Sequence, residues 1–101
     1  MTTAYQGQHN PPHPGEFIAE VYLKPFGLGR NDMARRLGVS PSTFSRLVNG
    51  KNDMSPEMAI RLSKVLGRSP RSWMAMQDNF DLHRAADQVD VSDLKAVNFA
   101  A

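Results

Sequence analysis

Ser42, Thr43, Ser45, Arg46 and Asn49 gather short hydroxyls, an amide and one guanidinium within eight residues. Groups of this kind donate and accept at base edges in a DNA major groove. An arginine fork on guanine O6 and N7 is worth roughly 1–3 kcal/mol of discrimination. Ser42, Thr43, Ser45 and Arg46 are therefore the expected base contacts. Arg30, Ser40, Asn49 and Lys51 lie at the ends of the same stretch and are the expected phosphate contacts. Arg46 is the first choice for a guanine, with a phosphate contact or a solvated surface arginine as the plainer alternative. This chemistry needs the groups on one exposed face of one helix.

The surrounding residues predict that helix. In RNDMARRLGVSPSTFSRLVNG, residues 30–50, a first helix is expected over 30–37 and a second over 41–49. Gly38-Val39-Ser40 makes the turn between them. Ala34 is small enough for the helices to cross closely, and Gly38 can take positive φ at the first helix's end. Val39 plugs the corner. Phe44 and Leu47, three apart, point back into the core. Ser40 caps the second helix, whose N-terminus suits a phosphate. The pair has the form of a helix-turn-helix, with the second helix as reader. Arg35 and Arg36 are adjacent and are expected to diverge, at most one of them toward DNA.

The same punctuation recurs. Ser-Pro stands at 40–41, 55–56 and 69–70, each a capping serine followed by proline at the first helical position. Glycines at 38, 50 and 67 stop the preceding helices. Further helices are expected at 56–66 and from 70 to about 86. Met58, Ala59, Leu62, Val65 and Leu66 line one side of the former. Trp73, Met76 and Phe80 form the stripe of the latter, as core or as a dimer seam. Before the pair, a helix should run from Pro14 to about Leu23 with Phe17, Ile18, Val21 and Tyr22 inward. Lys24 should leave helical geometry because Pro25 follows it. Phe26 and Leu28 are expected to anchor the next loop. Nothing alternates with period two over residues 14–86, so the fold is expected to be all-α with five helices. Residues 1–13 read as a disordered N-terminal tail, 14–86 as the DNA-binding domain and 87–101 as a C-terminal tail. The last stretch is open between a short strand, a docking segment and a frayed end.

A net charge of +2 hides an uneven distribution. Residues 30–71 carry nine arginines and lysines against three acids, whereas residues 72–101 carry two against five. A basic middle with an acidic end suggests one face for a polyanion and another for a different partner. There is no cysteine, which excludes disulfides and thiolate metal sites. His9, His13 and His83 are too scattered for zinc and read as unrelated surface histidines. No catalytic triad or phosphate-binding glycine loop is present, so neither an enzyme nor a cofactor is expected. No apolar run is long enough for a bilayer and the N-terminus lacks a signal-peptide order, so no membrane partner and a cytoplasmic location are expected.

Residues 30–50 resemble the helix-turn-helix of the Cro/C1-type (XRE) repressors. HPGEFIAEVYLKPFGL at 13–28, LGVSPSTFSRLVNGKNDMSPEMAIRLSKVLGRSP at 37–70 and SWMAMQDNFDL at 72–82 resemble the HigA/VapI-type antitoxins. The marks are the His-Pro-Gly-Glu opening, Asn-Gly-Lys after the reading helix, and Trp-x-x-x-Gln near the end. The resemblance implies a five-helix Cro/C1-type (lambda repressor-like) domain. It also implies a homodimeric repressor that binds double-stranded operator DNA at its own promoter and neutralises a HigB-like RNase toxin. Many relatives carry longer polar side chains where this chain has Pro41 and Ser42, which shifts base reading toward Ser45 and Arg46. Two alternatives stand beside this reading: a regulator with no toxin partner, and an interaction module that has lost DNA binding.

Overall fold

The computed structural model describes residues 10–100. Five helices follow one another, with no strand among the described residues. Helix α1, Pro14–Ile18, runs directly into a π-helical turn, Ala19–Leu23. Then come α2 (Arg30–Leu37), α3 (Pro41–Val48), α4 (Pro56–Leu66) and α5 (Pro70–Gln88). The all-α, five-helix expectation holds, and the bounds of α2 and α4 agree with it to the residue. The agreement has a local cause. Ser40, Ser55 and Ser69 each accept the N–H of the residue three ahead, Thr43, Met58 and Ser72, at 3.0–3.1 Å. Each is followed by proline in the first turn, where no amide is lost to the ladder.

The turn between α2 and α3 is a left-handed C-cap. Gly38 has φ 72° and ψ 30°. Its N–H reaches the Arg35 carbonyl at 3.1 Å, and that of Val39 reaches Ala34 at 3.0 Å. This satisfies two carbonyls that the helix end leaves unpaired. Arg61 of α4 adds a third tie, its Nη1 donating to the Leu37 carbonyl at 2.9 Å. A guanidinium at the C-terminal end of α2 also meets the negative end of the helix dipole.

Packing closes on one core. Ile18, Met33, Ala34, Phe44, Leu62 and Trp73 are at most 1% exposed. Helix α3 packs on α1 and α2, and α4 on α2 and α5. Gly15 permits the closest approach. A Cβ there would lie 1.8 Å from the Leu47 carbonyl oxygen on α3. Trp73 belongs to the core. Its Nε1–H donates to the Gly67 carbonyl at 2.9 Å, and its ring lies 6.0 Å from Phe17 and 6.1 Å from Tyr22. Arg68, with φ 64°, lays its guanidinium 5.2 Å from the Phe17 ring centroid and 5.7 Å from that of Trp73.

Several expectations need correction. Lys24 stays helical, with φ −63° and ψ −49°. The helix still ends at Leu23, because Pro25 has no N–H to carry the ladder on. Val21 and Val65 are exposed, as is Phe26. The π turn takes five residues per bonded loop, so it rotates Val21 away from the stripe that a 3.6-residue period assigns. Leu28 does pack against the core, and so does Met76. Of the expected tail 1–13, residues 1–9 lie outside the described residues, but Pro11 and His13 are buried. Helix α5 ends at Gln88. Beyond it the described residues form no regular element, and Val89, Val91, Leu94, Val97 and Phe99 are exposed.

Candidate nucleic-acid interface

Helix α3 buries Phe44, Leu47 and Val48 and turns the other side outward. Ser42, Thr43 and Arg46 are exposed there and Ser45 is half-buried. The first turn is knitted by hydroxyls. Ser40 Oγ accepts the Thr43 N–H and also bonds Thr43 Oγ1 at 2.8 Å, and Ser42 Oγ lies 3.3 Å away. Pro41 has no amide N–H and that of Thr43 is engaged by the cap. Ser42 therefore carries the first-turn N–H best placed for a phosphate.

Arg30, at the start of α2, crosses to α3. Its Nη1 donates to Ser45 Oγ at 3.0 Å and to Asn49 Oδ1 at 3.1 Å. The structure thus brings three of the expected contact residues into one cluster. It joins an expected base reader to two expected phosphate holders. Arg46 is held from the loop after α3, its Nε donating to Asn52 Oδ1 at 3.2 Å. Lys51 is exposed in that loop, where its backbone N–H bonds the Arg46 carbonyl at 2.8 Å. Gly50, at φ 76°, makes the turn.

Arg35 and Arg36 do not diverge as expected. Both fold onto Asp32, Arg36 through Nε at 3.0 Å and Arg35 through Nη2. Spacings of three and four along a helix both reach the same side chain. Exposed pairs like these contribute little stability, but they turn both guanidiniums toward an acid on their own helix.

Four further residues support the face. Arg61 and Asn52 have been described. Gln77 of α5 is buried. Its Oε1 accepts the Met54 N–H at 2.7 Å and its Nε2 donates to Asp53 at 3.3 Å and Asp81 at 3.1 Å. This fastens the α3–α4 loop to α5. The Trp-x-x-x-Gln spacing pointed to it, since Trp73 and Gln77 share a helix face. His13 is a second correction. It is 6% exposed, caps α1 through Nδ1 accepting the Gly15 N–H at 3.0 Å, and stands edge-on to Phe80 at 5.1 Å. That bond places the proton of the neutral ring on Nε2, which is buried without a hydrogen-bond partner. Burial lowers its pKa below that of a free imidazole, against opposing pulls from Asp53, Asp81, the Asn52 backbone and Glu16. Only its place just before Pro14 hinted at a capping role. For Arg61 and Asn52 the sequence held no signal.

Among the described residues no cluster of histidine and acidic side chains is arranged to hold a metal. No described helix is long and apolar enough to cross a membrane.

Comparison with known proteins agrees with this geometry. The helix-turn-helix family model HTH_3 matches residues 21–73. The uncharacterized HTH-type transcriptional regulator YddM of Escherichia coli K12 is 43% identical over 86 residues, covering 85% of this chain and 90% of the relative. Antitoxin HigA-1 of Vibrio cholerae is 33% identical over 75 residues, covering 74% of this chain and 70% of the relative. Among solved structures, the Pseudomonas aeruginosa antitoxin HigA with the higBA promoter superposes with a TM-score of 0.77. It is 28% identical and covers 90% of this chain and 99% of that one. The chain belongs to the XRE-type helix-turn-helix family of DNA-binding regulators, within the group that includes the HigA antitoxins.

Proposed function

We propose that the chain is a dimeric operator-binding repressor and the antitoxin of a toxin-antitoxin pair. In this role it represses its own operon and neutralises an mRNA-cleaving toxin. The observation that carries the DNA-binding part is the outward face of α3. It is polar, capped and buttressed, with Arg46 and Arg30 both held there by hydrogen bonds. Ser42, Thr43, Ser45 and Arg46 meet bases, and Arg30, Ser40, Asn49 and Lys51 hold phosphates or the groups that do. A twofold dimer sets two copies of α3 about 34 Å apart, one turn of DNA. The antitoxin part draws on relatives named for that role and on the acidic C-terminal third, which suits a basic toxin. The second reading, a regulator without a toxin partner, rests on the same α3 face and on the name of YddM, an uncharacterized HTH-type transcriptional regulator.

A gel-shift on the chain's own promoter fragment, against a scrambled fragment and at two salt concentrations, tests the DNA-binding part. Selective binding that weakens with salt is expected. Arg46→Ala should abolish the preference for the promoter, and an unchanged preference refutes the reading role. Co-expression with the product of the adjacent reading frame separates the two biological readings. An antitoxin restores growth halted by that product, and a stand-alone regulator does not.

A further inference from the structure

We propose that Asn52 is a specificity-positioning residue, one that aims the Arg46 guanidinium before DNA arrives. The inference rests on the reading of Arg46 as a base contact. Asn52 lies beyond the reading helix and is fastened to Arg46 at both ends. Its backbone N–H bonds the Arg46 carbonyl at 3.3 Å, and its side-chain oxygen accepts Arg46 Nε–H at 3.2 Å. Lys51 N–H shares the same carbonyl at 2.8 Å, so the loop cannot swing away from the end of α3 without breaking this turn. The loop is pinned further on, where Gln77 holds the Met54 amide and the Asp53 carboxylate.

The choice of nitrogen matters. A bidentate contact to guanine uses two N–H groups on one edge of the planar fork. Asn52 engages only Nε, so its bond restrains the plane and leaves the N–H groups of the two terminal amines for an end-on bidentate contact. An exposed arginine otherwise samples many rotamers, and ordering it at the moment of binding weakens the contact. Held by its loop, Arg46 meets that cost in the folded state. Asn52 itself is only half-exposed and its side-chain oxygen is engaged, so its part is to hold Arg46 rather than to touch a base.

The test is fluorescence anisotropy of the full chain on its own promoter fragment and on a set of fragments with one base pair changed in turn. Asn52→Ala should lower affinity for the promoter by about 2- to 10-fold, from the cost of ordering one rotamer-rich side chain. It should also shrink the penalty for changing the base pair that Arg46 reads. The melting temperature and the salt slope should stay unchanged, because neither the core nor a phosphate contact is removed. Asn52→Asp keeps an acceptor in the same place. It should lower affinity for all fragments alike through its charge while preserving discrimination. Should the alanine variant melt early, Asn52→Ser, whose oxygen stops short of Nε, carries the same expectation.

Wild-type discrimination in both the alanine and serine variants overturns the proposal. If Arg46→Ala collapses discrimination and Asn52→Ala does not, the positioning role alone fails. If neither substitution alters discrimination, the base-reading assignment of Arg46 fails as well.

Discussion

Gly15 and His13 show how much rests on single residues: the first lets α1 meet α3, and the second caps α1 against α5. A methyl group on Gly15 would be driven into the Leu47 carbonyl of α3, a backbone atom that cannot yield like a side-chain tip. Gly15→Ala should therefore cost at least about 1–3 kcal/mol in a chemical denaturation experiment, the range for overpacked interiors. A stability equal to wild type would show that α1 does not sit this close to α3. His13 makes stability depend on pH. Its folded pKa lies below its unfolded value, so between the two the unfolded chain binds more protons. The contribution is present above the unfolded value of about 6.5 and is lost as pH falls from there through the folded pKa. The added proton would occupy Nδ1, the atom that accepts the Gly15 amide. His13→Asn keeps a capping side chain and removes the titration. Melting temperatures measured between about pH 7 and 5 should fall less steeply for this variant than for wild type. Equal slopes would assign the acid sensitivity to other groups.

At the scale of elements, the reading helix is short and depends on its ends. Eight residues form too few hydrogen bonds for α3 to persist alone. The Ser40 cap, the Gly38 turn and the Arg61 tie stabilise it alongside its buried face. Ser40→Ala should cost about 1 kcal/mol of folding stability and, on the proposed function, should weaken promoter binding by freeing the first turn of α3. Measured by urea unfolding and anisotropy together, a loss of stability without a loss of binding would show that the hydroxyl cluster does not shape the interface. Arg61 lies outside the helix pair yet donates to both Leu37 and Gly38 carbonyls. The angle between α2 and α3 is thus set partly from α4.

Across the whole molecule, the basic middle and the acidic end occupy different parts of the chain. Val21, Phe26, Ile60, Val65 and Leu82 are exposed singly along the helices and loops, whereas Val89, Val91, Leu94, Val97 and Phe99, between 49% and 91% exposed, follow one another after α5. Isolated exposed apolar groups are ordinary, but five within eleven residues are a concentration of apolar surface. A dimer contact built from α5 and this segment is the arrangement that a truncation tests. A chain ending at Gln88 keeps every residue of the buried core. It should therefore melt near the wild-type temperature while shifting toward monomer in sedimentation equilibrium. Its promoter affinity should fall, because two linked reading helices bind far more tightly than one. An unchanged dimer in the truncated chain would place the contact elsewhere, for example on the surface of α1.

Helix limits and the polar face of α3 were determined by the sequence alone, because caps, glycine stops and prolines act within a few residues of where they stand. The bounds of α2 and α4 and the capping roles of Ser40, Ser55 and Ser69 belong here, as does the burial of Ala34, Phe44 and Leu47, whereas the choice of core over dimer seam for Trp73 came from the fold. Only the tertiary structure decided what depends on distant partners. It buried His13 beside Phe80 and Gly15 against Leu47, and it turned Val21 outward through a π turn that a 3.6-residue period does not describe. It joined Arg30 to Ser45 and Asn49, and it tied Gln77 to the loop that carries Asn52. These contacts link residues up to 67 positions apart, and no local pattern of residue types encodes which of many polar groups will meet. The polar groups of the candidate interface are thus written in α3, while the hydrogen-bond partners of Arg30 and Arg46 are set by the fold around it.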